Sequence, residues 1–85
     1  MKSVVVTVTT SPTLLVAADD IFRTVYIHNG VGQTIYVGNS TVTTSTGYHI
    51  AGGDHQNFDI PSKQTLYAVT ASSTNDVIVL TPDLD

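Results

Sequence analysis

The chain reads as an all-β protein: a single antiparallel β-sandwich of jelly-roll-like form, or a small barrel, built from seven or eight short strands. Three observations lead there. Thr, Val and Ile supply 32 of the 85 residues, and β-branched side chains lose χ1 freedom in a helix but pack well on a pleated surface. Apolar residues alternate in short runs, and no apolar set holds helical spacing for more than one turn. Turn-forming residues separate those runs at intervals of about 8–12 residues.

The elements follow in order. Residues 4–10 form a first strand with Val4, Val6 and Val8 on one face, closed by Pro12, which cannot donate to a ladder. Residues 13–17 form the second, and Asp19-Asp20 marks a turn. Residues 22–28 alternate in two sets, with Val25 and Ile27 on the core face. Asn29-Gly30-Val31-Gly32 is the clearest turn signal, because Asn-Gly tolerates the positive φ of tight hairpins. It predicts an antiparallel hairpin onto residues 34–37, where Ile35 and Val37 share a face.

A Ser/Thr-rich loop spans 38–47, with Val42 its one aliphatic residue; loops this long are often functional. Residues 48–50 form a short edge strand, and Ala51-Gly52-Gly53-Asp54 turns the chain. Residues 56–60 carry Phe58 and Ile60 on one face. Pro61-Ser62-Lys63 turns again, and residues 66–71 and 77–81 are the last two strands. Pro82 ends the domain, leaving 83–85 as a short solvated tail. The whole of 1–85 is one domain, in which 1–11 serves either as the first strand or as an assembly arm.

Composition narrows function mainly by exclusion. A chain of this length buries only about 60–65% of its unfolded surface, so its stability margin is small and oligomerisation is a common remedy. Charged residues are 12% of the sequence, against about 25% in an average soluble domain. Such a surface suits a domain that meets other proteins in a crowded assembly. Net charge is −4, and Lys2, Arg23 and Lys63 are isolated in sequence. Nucleic acid, which demands clustered cations, is not an expected partner, nor is an anionic membrane. No apolar run approaches the roughly 20 residues of a spanning helix. The N-terminus lacks the apolar stretch and small-residue cleavage site of a secretory signal.

Catalytic equipment is sparse. There is no Cys, and no Ser lies in a Gly-x-Ser-x-Gly elbow. Asp54 and Asp59 are read as a turn residue and a solvated strand residue, not as an acid–base pair. His28, His49 and His55 contain no His-x-His spacing and are read as surface or interface histidines, so no metal and no cofactor is expected. The protein is not expected to be an enzyme. Tyr26 and Tyr36 lie outward on the predicted hairpin if the aliphatic residues point inward. Such a cross-strand pair can brace the sheet, line a subunit interface, contact a partner or stack on a sugar.

One resemblance adds to this reading. Arg23-Thr24-Val25-Tyr26-Ile27-His28-Asn29, Ile35-Tyr36-Val37-Gly38, Val42-Thr43-Thr44-Ser45-Thr46-Gly47-Tyr48-His49-Ile50, Phe58-Asp59-Ile60 and Thr65-Leu66-Tyr67-Ala68-Val69 follow one another in an order that resembles small virion-associated proteins of tailed bacteriophages. These include capsid decoration, or cement, proteins. The resemblance covers roughly residues 13–81 and consists of strand and turn patterns. It implies a non-enzymatic β-sandwich, often a trimer, on the outer capsid surface of the virion, made in the host cytoplasm. There it would bridge and stabilise subunits of the major capsid protein. The residues expected in such contacts are Val4, Val6 and Val8, the loop residues Thr41, Val42, Thr43 and Thr44, and Tyr26 and Tyr36. The rival expectation is a tail-associated or receptor-binding module that recognises host glycan.

Overall fold

Eight strands account for the periodicity, in a computed structural model that describes residues 1–83. They are β1 (Lys2–Val8), β2 (Thr13–Val16), β3 (Arg23–Asn29), β4 (Ile35–Gly38), β5 (Tyr48–Ile50), β6 (His55–Ile60), β7 (Leu66–Thr70) and β8 (Asn75–Thr81). Each coincides with a strand expected from the sequence, with ends displaced by a residue or two. Leu84 and Asp85 of the expected tail lie outside the described residues.

The strands form two four-stranded antiparallel sheets. The first has the order β1-β8-β3-β6 and the second β2-β7-β4-β5. This is a jelly-roll sandwich and not a barrel, since each sheet keeps two edges. Successive strands change sheet at every connection but one. The exception is β4 to β5, a hairpin whose connection is the 39–47 loop.

The core lies between the sheets and is mostly aliphatic: Val8, Val25, Ile27, Val77 and Val79 from the first, Leu15, Val16, Ile35, Val37, Ile50 and Ala68 from the second. Alternation therefore selects the inward set as expected for Val25 and Ile27 and for Ile35 and Val37. Tyr48 and Phe58 meet edge-to-face, with ring centroids 5.9 Å apart, and close the side where β5 and β6 are both edge strands.

The hairpin expected between β3 and β4 is absent, because the two strands belong to different sheets. Asn29 is the reason. It is not an exposed turn residue but the fully buried last residue of β3. Its Nδ2 donates to the carbonyls of Gln33 (2.8 Å) and Ile50 (2.9 Å), and its Oδ1 accepts from Nδ2 of Asn75 (2.7 Å). Asn75 in turn accepts from the Gln33 amide at 3.2 Å. Past Asn29, the Gly30 amide still donates to the Asp76 carbonyl (3.0 Å) before the chain bends at 31–33. A pair of asparagine side chains thus satisfies the carbonyls of a corner where the chain crosses from one sheet to the other. Left unpaired, each of those buried groups would cost about 1–3 kcal/mol.

Candidate assembly surface

Period-two geometry gives each strand of the first sheet an inner and an outer face, and register fixes the outer one as a grid. One row crosses all four strands: Ser3, Leu80, Tyr26 and Asn57. The next row is Val5, Ile78, His28 and His55. Within this grid Val5 is 66% exposed, Tyr26 49% and Ile78 43%. Leu80 is half-buried. Four apolar or aromatic side chains therefore lie side by side on an uncovered face. Beside them runs β1, the edge strand of the sheet, with one row of backbone groups unpaired by any described strand.

The residues singled out from sequence fall in three places. Val4, Val6 and Val8 share the inner face of β1, opposite Val79, Val77 and Asn75. Their burial tapers along the strand: Val4 is exposed, Val6 half-buried and Val8 fully buried in the core. The contact surface of Val8 is thus inside the protein, and the outward residue of this strand is Val5. Thr41, Thr43 and Thr44 are exposed on the 39–47 loop, but Val42 is buried. It packs against Gly38 and Gly47, on the outer side of the second sheet, and holds the loop down instead of projecting from it. The threonines order the loop among themselves: the Thr43 amide donates to Oγ1 of Thr46 (3.0 Å), and the Thr46 and Gly47 amides donate to the Thr43 carbonyl (3.2 and 2.9 Å).

Tyr26 and Tyr36 do not form a cross-strand pair. Tyr26 faces outward from the first sheet and Tyr36 from the second, so no single platform contains both. The expectation failed together with the β3–β4 hairpin on which it rested.

Sequence reasoning passed over Ile78, Leu80 and Val5. A signal was present. Residues 77–80 of β8 and 4–6 of β1 are apolar on both faces, which marks a strand covered on both sides. In the structure only the inner side of these strands is covered. It also passed over Arg23, whose side chain is 96% buried at the inner start of β3. Its Nη2 donates to the Ala17 carbonyl (2.8 Å), and its Nε has no partner among the described residues. Arg23 lies in a crevice of about 300 Å³ at one end of the sandwich, with Val4, Leu15, Val79 and, at the rim, Lys2 and Asp19.

No protein-family model matches the chain, and no curated protein matches it significantly.

Proposed function

We propose that the protein is a non-enzymatic structural protein of a tailed-bacteriophage virion, a capsid decoration or cement protein. It bridges and stabilises major capsid protein subunits through the outer face of its first sheet. The observation that carries this reading is the adjoining patch of exposed Val5, Ile78 and Tyr26 with half-buried Leu80, beside the edge of β1 that no described strand pairs. A contiguous apolar patch on so small a domain marks a protein contact. Its aliphatic centre with a polar surround of Ser3, Thr7, Asn57 and Asp76 has the anatomy of an interface core and rim. The resemblance of strand and turn order supplies the phage context. The jelly roll adds little on its own, because one fold serves many functions.

In this reading each contact is modest and repetition supplies the strength, since many copies bind one shell. A trimer suits a three-fold position on that shell. The glycan-binding alternative loses its platform, because Tyr26 and Tyr36 stand on opposite sides of the sandwich.

Labelling purified virions with an antibody against the protein, followed by electron microscopy, tests the proposal. Label distributed over the head is the expected result. Label confined to the tail moves the protein to adhesion or tail assembly, and particles without label remove it from the virion surface. Ile78→Asp should stay folded and leave the head.

A further inference from the structure

The sequence sets His49 and His55 six residues apart across the Gly52-Gly53 turn, close enough to approach each other, but strand register brings a different pair together. His28 on β3 is directly opposite His55 on β6. The neighbouring pair, Asn29 with Asp54, is joined by a hydrogen bond from the Asn29 amide to the Asp54 carbonyl (2.9 Å). Antiparallel pairs alternate in type, so His28 and His55 form the non-hydrogen-bonded kind, whose Cα atoms are only about 4.5 Å apart and whose side chains are closest. Both side chains are exposed on the same outer face. Both border one surface depression of about 420 Å³, together with Tyr26, Asn57, Ile78 and Leu80.

We propose that His28 and His55 jointly bind one divalent transition-metal ion of the zinc class. Two imidazoles on adjacent strands supply two nitrogen ligands without any loop having to be ordered. The backbone ladder between β3 and β6 fixes the separation of their Cα atoms in advance. Imidazole selects zinc, copper or nickel over magnesium and calcium, which prefer oxygen. No group of three or more His, Cys, Asp or Glu among the described residues completes a full protein ligand set. Water therefore takes the remaining positions, and the site is an open, exchangeable one rather than a structural one. His49 is the rival partner, since it stands on β5 of the second sheet opposite Tyr36 but borders a second depression of about 210 Å³ with Asp54 and His55, so its substitution tests which histidine His55 uses. The site shares its face with the proposed contact patch of Tyr26, Ile78 and Leu80, but its test uses the free chain, so its failure and the failure of the virion reading are distinguishable.

The test is a titration of the full chain with zinc chloride and, separately, magnesium chloride. It is followed by calorimetry and by NMR of the backbone and histidine ring protons. Saturable binding of one zinc per chain is expected, with shifts centred on His28 and His55 and none of them from magnesium. His28→Ala and His55→Ala should each weaken zinc binding by about tenfold or more, and His49→Ala should leave it unchanged. All three positions are exposed, and the amide spectrum of each variant reports whether it is folded. Zinc affinity that survives His55→Ala, or that falls as far with His49→Ala, would overturn the assignment. So would identical shifts from magnesium, because they would place the ion on oxygen ligands.

Discussion

The outer faces of the two sheets are built from similar residues and finished differently. On the first sheet Val5, Tyr26 and Ile78 stand in solvent. On the second, Val69 and Val42 are 4% and 3% exposed, although neither belongs to the central core cluster. Val69 points away from the core, opposite Tyr36 across the ladder. Val42 reaches the same side from the 39–47 loop, which folds back on Gly38 and Gly47. A Cβ on Gly47 would sit 2.6 Å from Cβ of Tyr36, so only glycine lets the loop lie this close. A sandwich needs just one face of each sheet for its core. This chain uses its one long loop to cover the second outer face around β4 and β7, leaving only Leu14 of edge strand β2, among the apolar residues there, as exposed as Ile78, and no described segment covers the first. The difference separates apolar residues that stabilise the monomer from apolar residues available to a partner.

The largest effect should come from the corner that joins both sheets. Asn29→Ala removes the donor to the buried Ile50 carbonyl, one of two donors to the part-buried Gln33 carbonyl, and the acceptor of Asn75, and is expected to cost about 3 kcal/mol in urea unfolding. A loss below about 1 kcal/mol would mean that water replaces the side chain there. Next comes the cover of the second sheet. Gly47→Ala should cost about 2 kcal/mol by forcing the loop off Tyr36, with faster amide exchange confined to 39–47. Val42→Ala removes the anchor without the clash, and about 1–2 kcal/mol should be lost. If amide exchange in the loop stays unchanged in that variant, the threonine hydrogen bonds alone hold it.

The smallest effect on stability belongs to the bare face. Val5→Thr combined with Ile78→Thr should change unfolding by no more than about 0.5 kcal/mol. The same double variant should lose retention on capsids. A double variant that unfolds early but still associates with capsids would invert the comparison and make the first face a stability element.

Much of this was legible in the chain. Period-two alternation with β-branched residues located all eight strands, and Val25, Ile27, Ile35 and Val37 turned inward as their spacing requires. Asn29-Gly30 misled, because the same dipeptide that favours a tight turn also carries an amide able to satisfy a buried corner. Local sequence gives no weight to the second use, since two of its three partners, Ile50 and Asn75, are distant along the chain. The candidate contacts divided in the same way. The apolar character of β1 was visible, but Val5 and not Val8 presents it, and Val42 proved to be an anchor.

The sequence by itself determined the class of secondary structure, the positions of the strands and most of the inward-facing set. These depend on side-chain shape and on a repeat of two residues, both local properties. The tertiary structure alone decided which strand lies beside which. Backbone hydrogen bonds are chemically alike in every strand, so pairing is chosen by how the whole set of apolar faces closes around one core. That choice placed β3 and β4 in different sheets and parted Tyr26 from Tyr36. It also set His28 against His55 and left one apolar face open to a partner.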